Sequence, residues 1–90
     1  MATLHVLSHS PFTDQRLASC LRLLGKDDGL LLTGDAVYAL LNDSLAHLQG
    51  RVYALAEDVQ ARGISTDATV VDYPGFVQLS IDFDKVNTWL

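Results

Sequence analysis

Apolar residues gather into four short runs along the chain: LHVLS at 4–8, GLLLT at 29–33, RVYAL at 51–55 and ATVVD at 68–72. Each has the length of a β-strand. The runs stay apolar at successive positions instead of alternating, the pattern of strands covered on both faces. Between them apolar residues recur at helical spacing. Such strand-then-helix alternation predicts a parallel sheet with right-handed crossovers, because parallel neighbours need a long connection.

Local punctuation predicts where the helices begin and end. Ser10-Pro11 reads as a cap followed by a first-turn proline, and Gly25 as a left-handed closing residue, giving a helix over about 11–24. Asp35 opens a second helix over DAVYALLND. Glu57 and Asp58 suit the positive first turn of a short third helix that Gly63 stops. A last helix begins near Tyr73-Pro74 and carries Phe76, Val77, Leu79 and Ile81 toward the sheet. No internal repeat, linker or low-complexity tract interrupts the pattern. The expectation is one α/β domain over residues 1–90, built on a small, open, mainly parallel four-stranded sheet with flanking helices.

Composition adds a partner to this picture. A chain of 90 residues has a small core, yet 49% of it is hydrophobic and only 19% charged, against roughly 25% charged in a typical soluble domain. That leaves more apolar surface than one core hides, which a partner subunit would cover. The net charge is −5 and the six basic residues are scattered, which excludes direct nucleic-acid binding, since phosphates need clustered Lys and Arg. A single cysteine makes no internal disulfide and fits a reducing compartment. MATLHVLSHSP lacks a basic leader followed by an apolar core, and Leu30 to Leu32 is too short an apolar run to cross a bilayer. The expected location is cytoplasmic, with no membrane association.

Most catalytic chemistries find no support. The first strand-to-helix turn, Ser8-His9-Ser10-Pro11, has no glycine, so the backbone cannot approach a phosphate as a nucleotide cradle requires. The same turn lacks the metal-binding acids of a response regulator. His5 and His9 stand about 13 Å apart along a strand and cannot share a zinc ion, whose ligands lie about 2 Å away. His47 stands alone, and no metal or other cofactor is expected. No nucleophile-elbow pattern is present.

Cys20 has two readings. An advance of 100° per residue sets it on the shoulder of the stripe formed by Leu17, Leu21 and Leu24, one turn after Arg16. As a small buried hydrophobe it would be inert, its pKa raised by burial. If the shoulder reached solvent or a subunit seam, Arg16 would stabilise a thiolate or persulfide there. Tyr38, Tyr53, Phe76 and Trp89 are candidate interface anchors, because aromatic rings bring large area with a polar handle, and they serve equally as ordinary core.

The ordered segments LHVLSHSPF, LASCLRLLG, LLLTGDAVYALL, VYALAEDVQARG, VVDYPGFVQL and the closing Trp89-Leu90 resemble the TusB/DsrH family of sulfur-relay subunits over Leu4 to Leu90. The resemblance implies a DsrE/F/H-like fold of flavodoxin-like topology. It implies a heterohexamer with homologous TusC/DsrF-like and TusD/DsrE-like subunits, two copies of each, in a cytoplasmic relay that passes sulfur as a cysteine persulfide. In that relay the better-established carrier cysteine belongs to the TusD/DsrE-like partner. This chain would be a structural or docking member, not catalytic alone, with Cys20 as a candidate persulfide site and Arg16 as its modulator. In the TusBCD branch the sulfur ends as the 2-thio group of the tRNA wobble uridine, and in the DsrEFH branch the complex serves sulfur oxidation. The third reading is a stand-alone α/β binding module, and expression without partners would allow self-association.

Overall fold

The computed structural model describes residues 2–10, 15–41, 45, 48, 50–66 and 68–89. Five strands form one sheet: β1 (Thr3–Leu7), β2 (Gly29–Leu32), β3 (Val52–Leu55), β4 (Thr69–Val71) and β5 (Lys85–Trp89). The order is β4-β3-β2-β1-β5 and every neighbouring pair is parallel. The α/β class with a parallel sheet and flanking helices is thus as expected, and the four apolar runs are β1 to β4.

The sheet has five strands where the apolar runs predict four. The added strand is KVNTW, whose residues are exposed except for a half-buried Trp89. An edge strand with one neighbour needs no continuous apolar run, so hydropathy does not reveal it. The order also differs from the 2-1-3-4-5 of flavodoxin: β1 to β4 are laid down side by side, and β5 returns to the free side of β1.

The helical elements are α1 (Arg16–Leu23), a 3₁₀ helix (Gly34–Leu41), α2 (Ala56–Ala61) and α3 (Tyr73–Asp82). Two boundaries follow the predicted chemistry. Asp72 caps α3 by accepting the Gly75 N–H at 2.8 Å, with Pro74 in the first turn. Gly63, at φ +62°, ends α2: its N–H donates to Gln60 O at 3.2 Å and that of Ile64 donates to Val59 O at 3.1 Å. That paired closure is the Schellman arrangement, and a side chain at Gly63 would be strained. Val59 lies in the core behind it, and Ile64 packs against that cluster.

Two other boundaries differ. Helix α1 opens at Arg16 with Gln15 in the cap position and no side-chain cap, so Ser10 does not cap it; Pro11 lies outside the described residues. Gly25 is not left-handed. Leu24 is extended and the chain turns through Gly25 to Asp28, whose N–H donates to Gly25 O at 3.2 Å. His47 and Leu90 also lie outside the described residues.

The strand order fixes which face each helix covers. Right-handed crossovers that step from β1 to β4 in one direction put α1, the 3₁₀ helix and α2 on one face; α3 steps back the other way and takes the opposite face. The cores agree with this. One cluster joins Leu30, Leu32 and Ala54 to Leu17 and Cys20 of α1, Val37 of the 3₁₀ helix and Val59 of α2. A smaller one joins Leu4, Val6 and Leu31 to Phe76 and Leu79 of α3 and to Phe83. Three elements cover the first face and one covers the second.

Leu31 lies in the middle strand at 0% exposure, whereas Ile81 on α3 is 69% exposed. Leu31→Ala is therefore expected to cost about 2–5 kcal/mol and Ile81→Ala less than about 0.5 kcal/mol, measured by urea unfolding of the isolated chain.

Candidate functional site

Cys20 belongs to the interior. It has 0% exposure within the cluster beneath α1, so the shoulder that the helical spacing predicts is fully covered. Burial pushes the thiol up to about 11, and the negative charge of Asp28 adds to the rise. Both influences disfavour the thiolate, the nucleophilic form. Arg16 sits half-buried at the first position of α1.

Asp28 is the charged centre of a buried hydrogen-bond chain on the same face of the sheet. Its Oδ1 accepts the Thr3 N–H at 2.9 Å, and its Oδ2 accepts the Gly25 N–H at 2.8 Å and His5 Nε2–H at 3.2 Å. The indole N–H of Trp89 donates to His5 Nδ1 at 3.1 Å. An indole nitrogen only donates, so Nδ1 must be bare and Nε2 must carry the proton toward Asp28. His5 is therefore neutral here in a single tautomer, and it is 5% exposed. Burial alone would raise the Asp28 carboxyl, but the hydrogen bonds from Gly25, Thr3 and His5 outweigh it and hold the group below its usual range. Arg51 braces the turn from outside: its guanidinium donates to the carbonyls of Gly25, Lys26 and Asp28 at 2.7, 2.6 and 3.2 Å.

A second polar cluster stands at the carboxyl ends of β2 and β3, the edge where open α/β sheets place ligands. Gly34, at φ +51°, donates its N–H to Asp58 Oδ2 at 2.8 Å. Arg62 pairs with Asp35 at 2.9 Å and with Asp58 at 3.5 Å, and its guanidinium carbon lies 5.8 Å from the Tyr38 ring centre. These groups satisfy one another and fix the turn after β2. Among the described residues no three His, Cys, Asp or Glu side chains come together as metal ligands, and no helix is long and apolar enough to cross a membrane.

The four candidate anchors are half-buried against the chain's own elements. Tyr53 and Phe76 pack in the α3-side cluster, Trp89 against the α1-side cluster, and Tyr38 beneath Arg62. Among the described residues the exposed large apolar ones are others: Tyr73, Val77 and Ile81 on α3, Val86 on β5, and Leu23, Leu41 and Val70 elsewhere. In the sequence His5 stands out only as a metal-ligand candidate, and Asp28 is part of no motif. The available signal was a histidine inside an apolar strand and an aspartate directly before one, two buried polar positions that need partners.

Asp28→Ala strips the acceptor from Thr3 N–H, Gly25 N–H and His5, and is expected to cost about 2–4 kcal/mol in urea unfolding. Because the folded carboxyl is depressed, its contribution is fully present above the ordinary aspartate pKa of about 3.9 and is lost as pH falls through the lower folded value; the acid limb of the stability profile should be shallower in Asp28→Asn than in the native chain. For Cys20, Ellman's reagent at pH 7.5 should react at least about a hundredfold more slowly with the folded chain than with the urea-unfolded chain, since burial and a raised pKa both suppress attack.

Comparison with known proteins agrees with this architecture. The profile of the family described as DsrH like protein matches residues 9–86. The chain is 39% identical over 95 aligned residues to Protein TusB of Escherichia coli K12, covering 96% of this chain and 99% of that one. The same identity and coverage hold for Protein TusB of Escherichia coli O1:K1 / APEC and of Shigella boydii serotype 18.

Proposed function

Because the chain belongs to the DsrH-like protein family, we propose that it is a TusB-like subunit of a cytoplasmic sulfur relay supporting 2-thiolation of the tRNA wobble uridine. Its part in that relay is docking. It sits beside TusC/DsrF-like and TusD/DsrE-like subunits, two copies of each, and shapes the assembly in which a partner's cysteine carries the persulfide.

The observation that carries this reading is the outer face of α3. The helix YPGFVQLSID has one charged residue, Asp82, among its ten and buries none of them fully. Phe76 and Leu79 point to the sheet, while Tyr73, Val77 and Ile81, spaced by four, form an outward stripe 56%, 57% and 69% exposed. Solvent-facing helices ordinarily carry charge on that side. An exposed apolar stripe without cations has the composition of an interface centre, where charged residues are depleted. Val86 extends the patch across β5: it pairs in register with Leu4, whose side chain faces α3, and is 43% exposed. The interior position of Cys20 and its unfavourable thiolate support docking over sulfur carriage.

The test is co-purification with the two homologous subunits, followed by a sulfur-transfer assay. Val77→Asp and Ile81→Asp should leave the chain folded and weaken capture by partners at least tenfold each, about 1.4 kcal/mol or more. Cys20→Ser should assemble and support transfer at nearly the native level. A large loss of transfer by Cys20→Ser in an intact assembly would reverse the assignment and make Cys20 a carrier.

A further inference from the structure

Trp89 is the chain's single tryptophan and the only half-buried residue of the otherwise exposed β5. Its strand lies at the edge of the sheet with β1 as its one neighbour. At its start β5 is tied to the N-terminal residues: Asp84 and Lys85 donate their N–H groups to Ala2 O at 3.0 and 3.3 Å, and Ala2 N donates to Asp84 Oδ2 at 3.0 Å. At its end the side-chain tie is the indole bond to His5 Nδ1, with ring centres 6.2 Å apart. That bond spans 84 residues of sequence and exists only while Nδ1 is unprotonated.

We infer that the Trp89–His5–Asp28 chain is an acid-released latch, which holds the C-terminal strand on the sheet while His5 is neutral and frees it when His5 gains a second proton. The proton would enter at Nδ1, and an N–H there would face the indole N–H, two donors with no acceptor between them. Asp28 does not cancel this effect. Its bond is to Nε2, on the far side of the ring, and it favours the imidazolium equally with the indole in place or withdrawn. The difference between held and freed states therefore lies in the Trp89 bond, so the freed state binds the proton more tightly and acid drives release.

The groups around His5 leave that sign unchanged. Asp28, from the turn before β2, is ionised and faces Nε2. Cys20, from α1, is a neutral thiol whose pKa Asp28 raises. Leu30 on β2 and Asn87 on β5 are the uncharged register neighbours of His5. Arg51 is engaged with the carbonyls on the outside of the Asp28 turn, and Asp84 and Lys85 lie exposed at the opposite end of β5. The inference rests on this geometry and does not depend on the relay assignment.

The native chain carries the test. Amide hydrogen exchange resolved by strand is compared at pH 8 and pH 5.5, corrected for intrinsic rates, alongside the emission of Trp89. The interval stays above the range in which Asp28, held below its usual value, takes up a proton. On acidification the β5 amides should lose protection at least tenfold and Trp89 emission should shift to the red, while β2 and β3 stay protected. In Trp89→Phe the low protection of β5 should already be present at pH 8 and should not change with pH. In His5→Gln, which keeps a donor toward Asp28 but does not titrate, the pH response should disappear. Equal protection of β5 at both pH values would overturn the latch, as would simultaneous loss in β2 and β3, or an unchanged pH response in Trp89→Phe.

Discussion

The direction in which consecutive strands are laid down governs this small fold. With β1 to β4 in sequential order and β5 returned to the other side of β1, right-handed crossovers allow three helical elements on one face and one on the other. Five strands span roughly 19 Å and a helix is about 10 Å across, so α3 covers only part of its face. The buried thiol on the crowded side and the uncovered apolar stripe on the sparse side are consequences of one topological fact.

The crowded side also contains the main electrostatic commitment. A carboxylate at 8% exposure persists because Thr3, Gly25 and His5 all donate to it, and removing donors from a buried charge is far costlier than the net worth of each bond. The same chain of bonds ties the edge strand β5 to its neighbour β1. Near this fixed negative charge the Cys20 thiolate is disfavoured twice, by burial and by repulsion. That is the opposite of the cationic, accessible setting in which transfer cysteines react. On the sparse side α3 leaves Tyr73, Val77 and Ile81 exposed.

Much of the fold and part of the candidate site were legible in the chain. The strand-length apolar runs fall within a residue or two of β1 to β4, and Pro74 and Gly63 mark real helix ends, because each depends on geometry within a few residues. Helical spacing puts Cys20 on α1 beside Leu17. Its depth was not legible, since a shoulder position is covered or open according to what packs against it. The segment KVNTW carries no run that distinguishes an edge strand from a loop. Gly25 has the position of a left-handed stop but serves as a donor to Asp28.

By itself, then, the sequence determined the alternation of strand and helix, the parallel class, the shortage of charge that calls for partners, and the family to which the chain belongs. The tertiary structure alone decided that β5 joins the sheet, that His5, Asp28 and Trp89 form one chain of hydrogen bonds, that Cys20 is sealed in, and which aromatic residues face outward. The reason is range. Periodicity and capping are written in contacts over three or four residues, whereas the deciding bonds here span 23 to 84, and a separation of that size leaves no local pattern to read.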